Sequence, residues 1–255
     1  WITFATRDKE NVIDAKKMVK GRDAYIPEVG KVQSTYIIEK NNIWMRCVKV
    51  ANKLRKNSKK KSAYSSNKIE GNPLSEKQVE EIIESDERKH FLKPEQEIRN
   101  YFLALNYLEE CISKKKAFSK ELILEVQKLV EKGTSKEKIG FRGPTPPGVL
   151  FAVYDSITGN PDYIPPEYCD IPLLIEELVK YVNSTSDHPL IIAAVVHYQI
   201  VTIHPFEDGN GRTARLLSNY ILDLNGYGFN GIGSLEEYFA YDIDEYYKSI
   251  QMGLP

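Results

Sequence analysis

The sequence is poor in cysteine, and the cysteines present do not form a recognisable metal site or disulfide framework. Cys47, Cys111 and Cys169 lie far apart, are odd in number and show none of the spacings typical of zinc ligands. This pattern excludes a small disulfide-stapled fold, and reduced thiols are typical of the cytosol. We therefore expect a cytoplasmic protein.

Long apolar runs and an excess of one charge are also absent. The longest apolar run, Leu190–Val196, is far too short to cross a bilayer, and the first residues show no signal-peptide pattern. The formal net charge is −1 at pH 7, so we expect neither a nucleic acid nor a membrane as the main partner. The basic stretch Lys49–Lys61 is balanced by acidic residues at 76–87, and we interpret it as a solvated helix face.

Helical spacing of apolar residues dominates what is present. One apolar stripe runs through Ile43, Cys47, Val50, Ala51 and Leu54, and indicates a helix over Asn41–Lys61. Residues 1–35 look irregular, with one short helix near Asn11–Val19. Further helices are predicted from Ser75 with a capping box to Gln78, after Pro94, over Ser119–Lys132, after Asp170, over Leu190–Ile203, up to Gly226, and over Leu235–Gln251.

Two of these helices flank the most informative segment. The helix over Leu190–Ile203 is apolar nearly all round, so we expect it to be the buried central helix. One β-prone stretch interrupts the helical pattern, because Val149–Tyr154 can pair with Tyr163–Ile164 across turn residues. From the residues alone, an ordinary connecting hairpin is the simpler interpretation.

The segment His204–Arg215 combines several chemically complementary groups. Asn210 lies between Gly209 and Gly211, where backbone N–H groups can converge at the start of a helix and bind an anion. Arg212 lies three residues before Arg215, so both can point the same way from one helix face.

A base and a metal ligand lie in the same segment. His204 can accept a proton near neutral pH, and the carboxylate of Asp208 suits Mg²⁺. Each residue taken alone has a structural explanation, because a lone histidine or a Gly-Asn-Gly turn is usually only structural. The whole set predicts chemistry on nucleotide phosphates.

The segment resembles the Fic family signature, His-Pro-Phe-x-(Asp/Glu)-Gly-Asn-Gly-Arg-x-x-Arg, at every fixed position. The resemblance implies transfer of AMP from ATP to a Ser, Thr or Tyr hydroxyl of a target protein, with release of pyrophosphate. It implies that His204 is the general base and that Asp208 holds Mg²⁺ between the α- and β-phosphates. It also implies that an anion hole is formed by Gly209, Asn210 and Gly211. Arg212 then binds the β-phosphate, and Arg215 binds the γ-phosphate.

A second motif lies upstream. Gly71 and Pro73 are helix stop signals and put Glu70 in the last turn of a helix, where a carboxylate needs a nearby cation. Without further context, Glu70 is simply an exposed glutamate. Ser66-x-x-x-Glu70-Gly71 nevertheless resembles the Fic inhibitory helix motif, which implies that Glu70 pairs with Arg215 and excludes the productive pose of the ATP γ-phosphate.

The resemblance also implies the architecture. We expect an all-α, Fic-type helical bundle with a β-hairpin flap at about residues 143–165, where an unidentified target protein docks by strand addition. Residues 1–74 then form an N-terminal helical region containing the inhibitory helix, and residues 75–255 form the catalytic domain with its signature loop at 204–215.

Several alternatives stay open at this point. One is a deAMPylase that removes AMP from a modified protein, and another is a non-enzymatic protein-binding regulatory module. Transfer of UMP or GMP is a lesser variant, because no residue is identified that reads the base. A homodimer that buries the inhibitory helix is compatible with the sequence.

Overall fold

The structure is a computed structural model that describes residues 30–85, 91–134, 139–154, 159–228 and 231–251, with side chains from residue 47 onwards. Contacts within the chain divide it into two units, Trp1–Val50 and Ala51–Pro255, and the site described below lies entirely in the second unit. The short helix predicted near Asn11–Val19 lies outside the described residues. The domain boundary at residue 74 stays a prediction.

Helices form most of the described chain, and the only sheet within it is a two-stranded antiparallel hairpin. The prediction of an all-α fold with one hairpin is confirmed. The elements are α1 Gly30–Ile69, α2 Glu76–Glu84, α3 Lys93–Ser113, α4 Lys120–Val130, β1 Val153–Tyr154, β2 Pro161–Tyr163, α5 Ile171–Ser184, α6 Pro189–Ile203, α7 Asn210–Leu224, α8 Leu235–Tyr241 and α9 Ile243–Gln251.

Helix α1 is longer than predicted. It begins at Gly30 and runs without a break to Ile69, because neither glycine nor proline occurs between these residues. It ends in a Schellman motif, in which Gly71 adopts φ +80° and its N–H donates to Lys68 O, while Asn72 N–H donates to Asn67 O. Glu70 therefore lies in the turn directly after the helix.

Two basic residues of α1, Lys59 and Lys60, pack against neighbouring helices, whereas Lys49, Lys53 and Lys56 are exposed. Lys60 is only 8% exposed and contacts both Glu80 and Glu84 on α2, at 3.3 and 2.8 Å. Its neighbour Lys59 reaches Glu109 on α3. The interpretation of this stretch as a solvated face was therefore wrong for Lys60, because α2 packs against it.

Helix α7, rather than α6, is the most enclosed helix. Leu190 and Ile191 at the start of α6 are about half exposed, whereas most residues of α7 are buried. Helices α3, α4, α6 and α8 all pack against α7. The prediction that α6 is the central helix was wrong because buried polar residues on α7, such as Asn210 and Arg215, conceal its burial from a hydrophobicity pattern.

The C-terminal region contains two helices where one was predicted. Asp242 leaves helical geometry at φ −136° and ψ 89° and separates α8 from α9, and its Oδ1 accepts the N–H of Glu245 in the first turn of α9. The break positions Tyr246 so that its ring is buried near His197 and Arg215.

The hairpin is shorter than predicted and is tied to the helices. Val153 pairs with Tyr163, and Tyr154 pairs with Pro161. The hydroxyl of Tyr163 donates to Thr202 O on α6 at 2.9 Å. Among the helices of the described residues, none has the length and apolar character needed to cross a bilayer.

Candidate active site

The signature loop connects α6 to α7 and is closed by its own side chains. Asn210 Oδ1 accepts the N–H of Phe206 at 3.0 Å, and Asn210 Nδ2 donates to Phe206 O at 2.9 Å. The ring of Phe206 is fully buried and stacks on Phe141, with 5.7 Å between the centroids. Asn210 therefore shapes the loop through its side chain, and Phe206 anchors it in the core.

The first turn of α7 has the backbone geometry on which the predicted anion site depends. Gly209 precedes the helix in a left-handed conformation, φ +81°, without a capping side chain. The first helical bond runs from Thr213 N–H to Gly209 O, so the N–H groups of residues 210–212 have no acceptor within the helix. These N–H groups and the positive end of the helix dipole favour an anion.

Two carboxylates press against this turn, which explains both glycines. A Cβ at Gly209 would lie 2.7 Å from Glu131 Oε1, and a Cβ at Gly211 would lie 2.4 Å from Glu70 Oε1. Real Cβ atoms do not make contacts this short. A side chain at position 211 would have to displace the Glu70 carboxylate. A side chain at position 209 would meet the Glu131 carboxylate and would also be strained by the positive φ.

His204 is half-buried and its imidazole is oriented by the end of α6. Nδ1 lies 3.2 Å from Val201 O, and because a carbonyl can only accept, the proton lies on Nδ1 and Nε2 is left as the acceptor. Burial lowers the pKa of His204 below its ordinary value, so the ring is neutral near pH 7. A neutral imidazole with an available Nε2 can act as a base.

Arg215 is fully buried and has a partner at every nitrogen. Nη2 lies 2.6 Å from Glu70 Oε1 and donates to Ser66 O at 3.0 Å, Nε donates to Ser66 Oγ at 2.8 Å, and Nη1 donates to Tyr246 Oη at 3.1 Å. Burial alone would lower the pKa of Arg215, but the Glu70 carboxylate holds it above its ordinary value. The predicted inhibitory residues Ser66 and Glu70 thus meet Arg215, and Gly71 forms the turn that follows them.

Arg212 is held by a different set of acids. Its Nη2 lies 2.9 Å from Glu131 Oε1 and 3.1 Å from Asp208 Oδ1, and its Nη1 lies 3.9 Å from Glu97 Oε1. Glu131 is buried at the C-terminal end of α4, and burial raises its pKa. The two arginines, although on one helix face, are therefore engaged by separate carboxylates.

Three of these groups escaped the sequence analysis. The sequence patterns singled out none of Glu97, Glu131 and Tyr246. A carboxylate at a helix C-terminus opposes the helix dipole and needs a cation, and this argument, applied to Glu70, also fits Glu131. Tyr246 carried no comparable signal.

The surroundings of Asp208 suit a metal ion that binds together with a nucleotide better than one held by protein ligands alone. Its side chain is 53% exposed, and no group of three or more potential ligand residues occurs in the described part of the chain. Mg²⁺ is usually held by one or two carboxylates together with substrate phosphates and water. One accessible carboxylate beside an anion site meets that requirement.

Comparisons with known proteins point to one protein family. Residues 117–222 match the model of the Fic/DOC family. The chain is 32% identical over 166 residues to the "Protein adenylyltransferase Fic" of Drosophila ananassae, covering 62% of this chain and 31% of that protein. It is 33% identical over 171 residues to the Drosophila melanogaster protein of the same name, covering 64% and 32%. The chain thus spans about one third of the length of the curated relatives it matches.

Solved structures show the same fold. A Fic family protein from Desulfovibrio desulfuricans G20 superposes with a TM-score of 0.66 at 24% identity, covering 89% of this chain and 69% of that one. A Fic domain containing signaling protein from Bacteroides thetaiotaomicron gives a TM-score of 0.63 at 23% identity, covering 79% and 73%. The predicted Fic-type bundle with a small hairpin is confirmed by this likeness.

Proposed function

We propose that this chain, which carries a Fic/DOC-family domain over residues 117–222, is a protein adenylyltransferase. It transfers AMP from ATP to a hydroxyl of a target protein and releases pyrophosphate. The names of its curated relatives support this activity. The single observation that carries the proposal is that the His204 imidazole, whose Nδ1 is held by Val201 O, lies in the loop that leads into the N-terminus of α7 with its two arginines.

The proposed reaction uses this chain's residues for proton removal and charge stabilisation. His204 Nε2 takes the proton of the target hydroxyl, whose oxygen bonds to the α-phosphorus as the bond from that phosphorus to the β-phosphate bridging oxygen breaks. Negative charge moves onto the leaving pyrophosphate, next to the N–H groups of residues 210–212 and the Arg212 guanidinium. Mg²⁺ held by Asp208 would supply further positive charge for the phosphates.

We propose further that Glu70 restrains this activity. Its carboxylate lies 2.6 Å from Arg215 and stands over the first turn of α7, within 2.4 Å of the point where a Gly211 side chain would begin. An ATP γ-phosphate bound by Arg215 needs the same place. The value of such a pair lies in its geometry more than in its energy, because desolvation offsets much of the Coulomb attraction.

The target protein is proposed to dock on the hairpin. A two-stranded sheet has two free edges, and strand addition at such an edge uses backbone hydrogen bonds. Several apolar side chains near this hairpin are about half exposed and offer pockets for the added strand: Val149, Leu150, Tyr154 and Ile164.

Removal of AMP from a modified target is the second candidate activity. The Glu70 carboxylate is 36% exposed while it lies beside the anion site, so it can meet both water and a bound phosphate. A carboxylate in that position can orient a hydrolytic water. Release of AMP from a pre-modified target by the wild-type protein, lost in Glu70→Gly, would favour this activity.

Isotope position and a matched histidine control test the transferase proposal. Glu70→Gly protein is incubated with Mg²⁺ and ATP labelled either at the α- or at the γ-phosphate, in the presence of a host lysate. Label that depends on the added protein should enter lysate proteins only from the α position, and His204→Ala should abolish it. His188→Ala, at the other end of α6, should retain transfer. Label entering from the γ position would show that the protein phosphorylates its target instead of transferring AMP.

A further inference from the structure

Arg142 is a buried cation that the signature does not include. It is 7% exposed, and burial lowers the pKa of its guanidinium. None of the carboxylates in the described part of the chain forms an ion pair with it. A charged side chain kept in such surroundings must be held by other groups, and those groups identify its role.

Its partners are backbone carbonyls of the signature loop and of the segment that follows the hairpin. Nε donates to His204 O at 2.8 Å, and the Arg142 backbone N–H donates to Pro205 O at 2.9 Å. Nη2 donates to Pro166 O. The guanidinium also lies over the ring of Phe151, with 4.2 Å from Cζ to the centroid.

The backbone of His204 needs such a clamp. His204 adopts φ 47° and ψ 56°, a left-handed conformation that is costly for a residue with a side chain. Such a conformation persists only where the surroundings enforce it. Arg142 holds the carbonyl of this residue, while the imidazole is held by Val201 O at 3.2 Å.

The same side chain holds the hairpin. Phe151 precedes β1 and Pro166 follows β2, so Arg142 contacts the segments that lead into and out of the hairpin. The centroid of the Phe151 ring also lies 6.0 Å from the centroid of the His204 ring. The hairpin, the guanidinium and the imidazole thus form one contiguous packing unit.

We propose that Arg142 is a positioning residue for the transfer reaction, because it ties the segments on both sides of the hairpin to the backbone of His204. A target strand that binds to the hairpin then also positions His204, the base that removes the proton of the target hydroxyl. This inference rests on the proposed function. It assigns Arg142 no contact with ATP, because none of its partners belongs to the first turn of α7.

Kinetics in the Glu70→Gly background test the role. Arg142→Met should lower kcat on the order of 10²-fold, the loss typical of a reacting group displaced by about 1 Å, and should leave the Kd of ATP unchanged. Arg142→Lys keeps the charge and one donor and should restore part of kcat. Phe151→Leu should lower kcat less, and its effect should not add to that of Arg142→Met.

The matched control is Arg99→Met. Arg99 also stacks on an aromatic ring, at 4.5 Å from Phe91, and donates to a carbonyl, Ser85 O, but it contacts no part of the signature loop. This variant should leave kcat unchanged. An equal loss in Arg99→Met would reduce the role of Arg142 to general stability.

Imidazole NMR signals give a readout that does not depend on transfer. The His204 signals should shift in Arg142→Met and in Phe151→Leu, and should stay in place in Arg99→Met. Unmoved His204 signals, an unchanged kcat or a parallel rise in the Kd of ATP would each overturn the positioning role. Absence of transfer in Glu70→Gly itself, with shifted His204 signals, would remove the proposed function and leave the structural link intact.

Discussion

Gly211→Ala tests whether the Glu70 carboxylate occupies the first turn of α7. The new Cβ would lie 2.4 Å from Glu70 Oε1, and ordinary contact begins at 3.4 Å, so the oxygen must withdraw by 1.0 Å (3.4 − 2.4). A withdrawal of this size directed away from Arg215 would lengthen the 2.6 Å contact between Glu70 and Arg215 to about 3.6 Å, beyond hydrogen-bonding distance. The substitution therefore acts on the ion pair without changing either partner.

The magnitude follows from the bond that is lost. A hydrogen bond between charged groups contributes about 1.5–3 kcal/mol, and the lower end applies because Glu70 is 36% exposed and regains water. Alanine is better than glycine within a helix by about 0.5–1 kcal/mol, which partly offsets the loss. We expect Gly211→Ala to lower the free energy of unfolding by about 0.5–1 kcal/mol in the wild type and to raise it by about 0.5–1 kcal/mol in Glu70→Gly.

A double-mutant cycle by urea unfolding separates these terms. The second close contact of the new methyl group, 3.2 Å from Arg215 Nη1, occurs in both backgrounds and cancels. The coupling between positions 70 and 211 should therefore be about 1.5 kcal/mol, and a thermal scan should give a difference of about 3–6 °C. Additive effects at the two positions would refute the placement of the carboxylate.

Three further predictions probe the rest of the site. Burial and the Arg215 charge lower the pKa of His197 from 6.5 to about 3. Between these two pH values the unfolded chain binds a proton at His197 and the folded protein does not, so the free energy of unfolding should fall as the pH drops from 6.5 towards 3. The loss is about 1.4 kcal/mol at about pH 5.5, and urea unfolding of His197→Gln should show a flatter pH dependence. Asn210→Ala removes both hydrogen bonds to the Phe206 backbone and should lower the free energy of unfolding by about 2 kcal/mol. An unchanged midpoint of urea unfolding would show that the loop closes without these bonds. Chelation of Mg²⁺ should stop label transfer, and Asp208→Ala should require more Mg²⁺ for half-maximal rate; an unchanged requirement would remove Asp208 from metal binding.

The signature loop could be predicted because its information is local. His204, the glycines and both arginines lie within one short segment, and the ends of α6 and α7 orient them. The Schellman turn after α1 was equally readable, since Gly71 and Pro73 mark a helix end in any context. Chemistry and local geometry agree in such segments.

The partners of these residues could not be predicted in the same way. Glu131 and Tyr246 reach Arg212 and Arg215 from helices far away in the sequence, and only tertiary packing selects them. The enclosure of α7 was also concealed, because its buried polar residues lower its apparent hydrophobicity. Buried polar groups that carry function are the positions at which hydrophobic periodicity fails.

The break between α8 and α9 had a different cause. Apolar and aromatic residues continue through Leu235–Gln251 without glycine or proline, so the pattern favours one helix. In the structure Asp242 caps α9, and the turn brings Tyr246 to Arg215. A tertiary contact here outweighs a weak local preference.

The rate of AMP transfer in wild type and Glu70→Gly tests the central claim most directly. Both proteins are compared with Glu70→Gly/His204→Ala under identical ATP, Mg²⁺ and target concentrations, and label from the α-phosphate is scored on protein. Freeing Arg215 should raise transfer on the order of 10²-fold, because a misplaced phosphate costs that much, and the double variant should be inactive. Equal rates in wild type and Glu70→Gly would contradict the account.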